Sequence, residues 1–265
     1  NLIELGFDCV YVSPGPETWR RAMTTGFRKY GNIFKSTELP LYASTPKVAI
    51  AYHIPLIIYG ENPAIAWGGS GGSKDGDASR LKYSNTLGGG DLSWLQDDGF
   101  DAGQLYWYNY PSDDELAQAG LRFIYLGYYL PDFLDFVNGE FAVAHGLVCR
   151  TGEDADPEQS GNLQVYDALD CDFLAANQML KAIKFGFGKV SDQCSVAVRW
   201  GKLDRDEAIK LLQKYDGKCA PRYIEQFCRY IGISEEEFWA IAERYRNHDV
   251  WVRDGNDWRL RNPVG

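Results

Sequence analysis

The apolar run Ile54-Pro55-Leu56-Ile57-Ile58-Tyr59 constrains the fold more than any other segment of the chain. Its apolar residues do not alternate with polar ones, which is typical of a strand covered on both faces, as in a parallel sheet flanked by helices. The run ends at Gly60-Glu61-Asn62-Pro63, where the chain turns and polar groups come together. In open α/β sheets, ligands bind beyond the carboxyl ends of such strands. The segment therefore predicts a ligand site at this turn, with an ordinary turn as the alternative.

The residues on either side of this run predict an α/β order of elements. Before it, we expect the end of a helix at residues 1–5, a strand at 7–12, a helix at 16–30 and a helix at 47–53 that begins after Thr45-Pro46. After it, residues 68–103 are rich in Gly, Ser and Asp, which indicates a long connection. A short capped helix at Ser112-x-x-Glu115 and a second buried strand at 121–126 follow.

The second half of the chain is predicted to be mainly helical, from about residue 172 to 247. Two segments have the spacing of a capping box, Asp204-x-x-Glu207 and Ser234-x-x-Glu237, and Pro221 suits the start of the helix between them. We therefore divide the chain into an α/β domain at 1–150 and a mainly helical region at 151–265.

Composition excludes several classes of protein. The net charge of −10 argues against general nucleic-acid binding, which requires a basic face. The sequence contains no stretch of 18 uninterrupted apolar residues and therefore predicts no membrane span. The six cysteines form no CxxC pair and have no histidine at metal-binding spacing, so we expect reduced thiols, a cytoplasmic location and no protein metal site.

A basic segment stands out in this acidic chain. In Lys184-Phe185-Gly186-Phe187-Gly188-Lys189 two lysines flank two glycines, and Asp192 follows. Residues 181–205 contain only two acids, Asp192 and Asp204. The basic residues there are Lys181, Lys184, Lys189, Arg199, Lys202 and Arg205. Lysine and arginine bind phosphate, and glycine lets backbone amides approach an anion. The segment predicts a phosphate-binding site, with a solvated helix face as the alternative.

Four segments resemble the N-acetyl sugar amidotransferases, a family of PP-loop ATPases of bacterial surface-polysaccharide synthesis, including lipopolysaccharide (LPS) and O-antigen. They are IPLIIYGENPAIAWGG (54–69), FIYLGYYLP (123–131), KAIKFGFGKVSDQCSVAVRWGKLDRDEAIKLLQKYDG (181–217) and YIGISEEEFW (230–239). The resemblance implies a partial PP-loop, Rossmann-like parallel sheet followed by a mainly helical region. It also implies conversion of a sugar acetamido group to an acetamidino group, with ATP adenylating the amide oxygen and ammonia displacing AMP.

The resemblance assigns roles to the residues already singled out. Glu61, Lys184 and Lys189 are the catalytic candidates, and Gly60, Glu61, Asn62 and Lys189 would border the nucleotide. Lys181, Lys184, Arg199 and Asp192 would contact the substrate, and Asp192 has the alternatives of holding Mg²⁺, orienting a lysine or capping a helix. The implied cofactors are ATP and Mg²⁺. The implied partners are a nucleotide-linked N-acetyl sugar and the glutaminase and cyclase-like subunits that supply ammonia.

The chain departs from the family at its beginning. The family's phosphate loop, SGGxDS, and its cysteine-bearing N-terminal segment have no match here. We therefore expect an N-terminally truncated chain that binds ATP poorly or not at all by itself. Ser70-Gly71-Gly72-Ser73-Lys74-Asp75 looks similar to the loop, but it lacks a preceding strand and a following helix, so a simple loop is favoured.

Two other functions stay open. A PP-loop sulfurtransferase acting on tRNA requires a basic surface and a working thiol, and a non-catalytic scaffold would only dock the glutaminase partner. The remaining conspicuous residues favour structural roles: His53, His145 and His248 are isolated, and the acids at 235–237 suit a helix N-terminus. The aromatic cluster Tyr106-Trp107-Tyr108-Tyr110 favours packing over stacking on a uracil or sugar ring.

Overall fold

The computed structural model describes residues 3, 6–60, 62–66, 73–83, 86–130 and 133–264. The first half contains α1 (Pro16–Tyr30), α2 (Glu38–Ala51), β1 (Leu56–Tyr59), α3 (Pro63–Ala66), α4 (Ser93–Gln96), α5 (Asp113–Gln118), β2 (Arg122–Tyr125), α6 (Leu126–Tyr129) and α7 (Asp135–Ala144). The second half contains α8 (Pro157–Ser160), α9 (Phe173–Phe185), α10 (Lys189–Arg199), α11 (Arg205–Tyr215), α12 (Pro221–Ile231), α13 (Glu235–Arg244), β3 (Trp251–Asp254) and β4 (Asp257–Leu260). Short 3-10 turns lie at Leu81–Tyr83, Gly88–Gly90 and Gly152–Ala155.

The strands form two small sheets. β1 and β2 pair in parallel, with Leu56 opposite Arg122 and Tyr59 opposite Tyr125. β3 and β4 form an antiparallel hairpin. The fold is therefore mixed α/β, and the two apolar segments predicted as strands are the two strands of a small parallel sheet. The described residues contain only this two-stranded parallel sheet, so a Rossmann-like assignment stays a prediction.

The first sheet is covered on one face only. Ile57 is 4% exposed, but its neighbours Leu56 and Ile58 are 41% and 52% exposed. The expectation that β1 is buried on both faces is therefore wrong. The strand predicted at residues 7–12 is also wrong, because these residues have no regular structure and Val10 and Tyr11 lie largely in solvent. Among the described residues, no strand pairs with this segment, and a single extended segment without such a partner is not a stable strand.

The two N-terminal helices differ in how well the sequence predicted them. α1 begins at Pro16 and ends at Gly31, whose positive φ of 55° forms the left-handed cap, as predicted. α2 begins at Glu38 instead of residue 47, and Pro46 lies inside it. Leu39, Ala43 and Pro46 are buried on one face of α2. Their packing outweighs the hydrogen bond that proline removes from the helix.

Residues 73–103 form part of the core and are not merely a connection. The first hydrophobic cluster takes in Leu81, Leu87, Leu95 and Phe100, together with Ile57 of the sheet. The segment predicted to be a long connection therefore contributes side chains to the core. Its aliphatic and aromatic residues are widely spaced in sequence, so no local periodicity revealed them.

The C-terminal helices enclose a second cluster that also includes α1. The ring centroid of Phe27 in α1 lies 5.3 Å from the ring centroid of Phe227 in α12 and 5.1 Å from that of Phe238 in α13. α1 therefore joins the helical region, while Ala22 of the same helix packs in the first cluster. The division at residue 150 stays a prediction, and α1 contacts both sides of it.

Local capping patterns gave mixed results in this region. The Ser234 side chain accepts a hydrogen bond from the Glu237 backbone N–H, as predicted. The Ser112–Glu115 capping box is also confirmed. Asp204 stands at the N-cap of α11, but its side chain makes no capping hydrogen bond, so that capping box is wrong. The β3–β4 hairpin was not predicted, although its two-residue Gly-Asn loop at 255–256 is a typical hairpin signal.

Candidate functional site

The predicted basic segment lies at the junction of α9 and α10. The Lys184 ammonium donates to the backbone oxygen of Tyr30, at the end of α1, over 2.7 Å. Lys189 forms an ion pair of 2.7 Å with Asp167, and Lys181 forms one with Asp192. Each of the three lysines therefore has a hydrogen-bond or ion-pair partner within the chain.

Burial also affects the charge of Lys184. Its ammonium lies close to the rings of Phe185 and Tyr245, and burial lowers its pKa from the usual lysine value. A lysine that is half buried and hydrogen-bonded to a helix C-terminus stabilises that terminus. The contacts of Lys184 are thus those of a residue that joins α9 to α1.

The glycines of this segment also have an intramolecular partner. The Asp216 carboxylate accepts hydrogen bonds from the Gly188 N–H at 2.8 Å, the Ser191 N–H at 3.2 Å and the Ser191 hydroxyl at 2.6 Å. A Cβ atom at Gly188 would lie 2.9 Å from this carboxylate, so the glycine makes room for it. Asp216 therefore caps α10 from outside the helix, and the anion at the glycine-flanked amides is a carboxylate of the chain itself.

The two other predicted substrate residues lie on α10. Asp192 accepts from Lys181, so of its possible roles the structure shows that of orienting a lysine. Arg199 is exposed near the end of the helix, and its Nε donates to the Ser195 backbone oxygen at 3.3 Å. Among the described residues, no group of three or more His, Cys, Asp or Glu side chains is placed to hold a metal ion.

The turn after β1 is only partly described. Glu61 lies outside the described residues, as do positions 70–72 of the glycine-rich loop. Asn62 is 6% exposed; its side-chain amide donates to the Ser73 backbone oxygen at 2.8 Å and accepts from the Ala64 N–H at 3.1 Å. Gly60 lies near the ring of Phe133. In the described part of the chain, no hydrogen bond or ion pair joins this turn to the α9–α10 lysines.

A third feature, missed by the sequence analysis, is a basic groove between α1 and α13. Its volume is about 770 Å³, within the usual range for small-molecule sites. Five cationic side chains and two carboxylates line it. The cations are Arg20, Arg21, Arg28, Lys29 and Arg244, and the acids are Asp98 and Glu237. We call this the α1–α13 groove.

The helix periodicity explains how one wall of the groove is built. Arg20, Thr24 and Arg28 follow one another at intervals of four residues, and so do Arg21, Thr25 and Lys29. Residues at this spacing share one face of a helix. The pattern R-R-x-x-T-T-x-x-R-K was thus available in the sequence, but it signals a groove only when a second wall faces it. α13 supplies that wall through Glu237, Ala240, Ile241 and Arg244.

Some groove cations have carboxylate partners. Arg20 makes two hydrogen bonds to Glu17, at 2.7 and 3.0 Å, and Arg28 pairs across the groove with Glu237 at 2.7 Å. Two others have neutral partners: Lys29 donates to the Trp94 backbone oxygen at 2.9 Å, and the Arg21 guanidinium lies 4.4 Å from the centre of the Phe100 ring.

Arg244 is exposed on the α13 wall and, among the described residues, has no ion-pair partner. The groove therefore keeps positive charge that the fold does not neutralise.

The thiols, by contrast, are poorly suited to nucleophilic chemistry. All six cysteines are free, as predicted. Burial raises the pKa of Cys194 and Cys228 to about 11 and that of Cys219 to about 12. Because the thiolate is the reactive form, these side chains are almost fully protonated at neutral pH.

The histidines and the aromatic cluster have structural surroundings. The His145 ring bonds the Phe141 backbone oxygen at 2.7 Å, near the end of α7, and His248 lies against the Trp258 ring. Tyr108 is fully buried, whereas Tyr106 is exposed beside Lys47. Packing is therefore confirmed for Tyr108.

Comparison with known proteins places part of the chain. Residues 163–263 match the family model described as "LPS biosynthesis protein WbpG-like, C-terminal domain". The match runs from the residues before α9 to the end of the β3–β4 hairpin, less than half of the chain, and supports a relation of this part to proteins of LPS biosynthesis. No curated protein matches the chain. Among the described helices, none has the length and apolar character needed to cross a membrane.

Proposed function

We propose that the chain belongs to an ATP-dependent amidotransferase of LPS biosynthesis that converts a sugar acetamido group into an acetamidino group. The observation that carries the proposal is the match of residues 163–263 to the family model of LPS biosynthesis proteins. The matched region contains the α9–α10 segment, and that segment carries the strongest resemblance to the amidotransferases. The reaction would use ATP with Mg²⁺, ammonia from a glutaminase and cyclase-like pair, and a nucleotide-linked N-acetyl sugar.

Features of the described residues are compatible with this chemistry. The parallel pair β1–β2 ends at the turn that contains Gly60 and Asn62, and ligands of parallel sheets bind at such ends. Since the described residues offer no Mg²⁺ cage, Mg²⁺ would be held largely by the ATP phosphates and water, as is usual for this ion. Adenylation also needs no protein nucleophile, which agrees with the protonated thiols.

The contacts of the lysine segment favour a second candidate function, that of a scaffold for the glutaminase partner. Lys181, Lys184 and Lys189 all have intramolecular partners, and Asp216 occupies the amides beside them. A segment of this kind can serve the fold alone. The sulfurtransferase alternative has no such support, because its reactive thiol would have to be one of the exposed or half-buried cysteines.

The test is an assay of AMP release. The protein is expressed with whatever the reading frame encodes upstream of Asn1 and is incubated with MgATP, ammonium and a nucleotide-linked N-acetyl sugar. AMP release that requires both ammonium and the sugar supports the amidotransferase. ATP-independent binding of the glutaminase partner without any AMP release supports the scaffold and contradicts the enzyme. Full activity after alkylation of every cysteine that reacts in the native chain eliminates the sulfurtransferase.

A further inference from the structure

We propose that the α1–α13 groove is a binding site for the diphosphate group of a nucleotide. The proposed function enters only in the choice of nucleotide, a nucleotide-linked sugar, and the diphosphate site itself rests on the geometry of the groove. Its lining includes neither the described residues of the turn after β1 nor the α9–α10 lysines.

The charge of the groove is the first argument. The whole chain has a net charge of −10, yet five cations and only two carboxylates line this one cavity. Glu17 and Glu237 satisfy Arg20 and Arg28. Among the described residues, Arg21, Lys29 and Arg244 form no ion pair. Asp98, the second acid of the lining, accepts a hydrogen bond from Thr25, so cations still outnumber acids along the cavity. A cluster of like charges on a fold is unfavourable by itself, and a bound anion would relieve the repulsion.

The arrangement of the cations is the second argument. Two parallel rows at intervals of four residues place cations along about 12 Å of α1, from Arg20 to Arg28, at 1.5 Å per residue. Arg21 is held in place by the buried Phe100 ring, and Lys29 by the Trp94 backbone oxygen. Cationic groups that are fixed before binding lose less freedom when they contact an anion. Guanidinium groups also match phosphate oxygens in two-point contacts.

The third argument is the chemistry of the opposite wall. Ala240 is exposed on this wall, and Ile231 and Ile241, each 4% exposed, line the groove beside it. A free inorganic anion needs only the charged side, whereas a nucleotide also has a base or sugar face that packs against apolar surface. The mixture therefore fits a nucleoside diphosphate better than a simple anion.

The Arg28–Glu237 ion pair makes the proposal testable in two directions. It spans the groove from α1 to α13, and both side chains are about half exposed. Glu237 contributes its backbone N–H, not its carboxylate, to the Ser234 cap. Glu237→Gln therefore removes an acid from the groove and frees Arg28 while the cap is kept.

The experiment measures binding of inorganic pyrophosphate to the chain 1–265 by isothermal titration calorimetry at low ionic strength. Arg244→Gln, which removes an exposed side chain, is expected to weaken binding about tenfold, and Arg21→Gln by a similar factor. Glu237→Gln is expected to tighten it about threefold. The control Arg229→Gln removes an exposed arginine of α12 outside the groove and should change the affinity less than twofold. Circular dichroism establishes that each variant is folded.

Each result bears on one part of the proposal. No binding of pyrophosphate by the wild-type chain, or equal losses in the groove variants and in Arg229→Gln, overturns the site. Competition with pyrophosphate by UDP-N-acetylglucosamine but not by ATP supports the nucleotide-sugar assignment, and the reverse pattern overturns that assignment and leaves ATP as the ligand. Pyrophosphate binding needs no turnover, so a failure of the AMP assay alone does not contradict the diphosphate site. Likewise, a failure to bind pyrophosphate does not decide the outcome of the AMP assay.

Discussion

Replacing Asp216 by alanine tests whether the glycine-flanked segment is a structural unit. The substitution removes one carboxylate and with it three hydrogen bonds, from the Gly188 N–H, the Ser191 N–H and the Ser191 hydroxyl. Loss of an N-cap acceptor costs about 1 kcal/mol, and each further net hydrogen bond costs about the same. Because these contributions are not additive, we expect the free energy of unfolding to fall by about 2 to 3 kcal/mol.

The assay is urea denaturation followed by tryptophan fluorescence. Asp249→Ala, an exposed aspartate outside any helix or strand, is the control and should change the free energy of unfolding by less than about 0.5 kcal/mol. Ser191→Ala should cost about 1 kcal/mol, and the double variant should show a coupling energy of about the same size. A loss below about 0.5 kcal/mol for Asp216→Ala would refute the capping role.

The same variant separates capping from anion binding. In Asp216→Ala the first amides of α10 lose their carboxylate, so added sulfate should restore part of the lost stability. The wild-type chain should gain less, since its own carboxylate occupies these amides. Equal or larger stabilisation of the wild type by sulfate would contradict the idea that Asp216 is the anion of this segment.

Two further predictions concern buried groups. Cys9 is exposed and should be alkylated by iodoacetamide in the native chain at pH 8. Cys194 and Cys228 are buried, with pKa values raised to about 11, and should react only after unfolding. Mass spectrometry of the labelled peptides measures this, and labelling of either buried thiol in the native chain would contradict their burial. Burial and a hydrogen bond to Asp154 raise the pKa of Tyr223 to about 12, so the folded chain retains this proton where the unfolded chain, with a pKa near 10, has lost it. This stabilisation is present below pH 10 and is lost as the pH rises through about 12, so the stability of the wild type should fall more steeply over this range than that of Tyr223→Phe. At pH 7 the substitution Tyr223→Phe should itself cost about 1 kcal/mol. Parallel pH profiles of the two proteins would show that the Tyr223 phenol has the same pKa in the folded and unfolded states.

Elements with a local signal were the ones that the sequence predicted well. α1 combines Pro16 at its start with Gly31 at its end, and α13 has a serine cap that the structure forms. Such signals act within a few residues and need no tertiary partner. The extent of α2 was missed because the buried face that holds Pro46 depends on residues elsewhere in the chain.

The candidate site was harder to predict for the same reason. The sequence showed a basic, glycine-flanked segment, but it did not show that Asp216, 28 residues from Gly188, supplies the anion. It also contained the doubled basic rows of α1 without indicating what faces them. A hydrogen-bond partner or an opposite wall is a long-range contact, and residue spacing within one helix carries no information about it.

By itself the sequence determined the two apolar strand segments, the helical second half and the caps of α1 and α5, since these depend on periodicity and on the conformations that single residues prefer. Tertiary structure alone decided which charges are neutralised within the chain and which face a cavity. In the sequence, Lys184 and Arg244 are both residues with a positive charge. One is half buried against the end of α1, and the other is exposed on α13 along the α1–α13 groove. The difference arises because the energy of a charge depends on its surroundings in space, which only the packing of distant helices fixes.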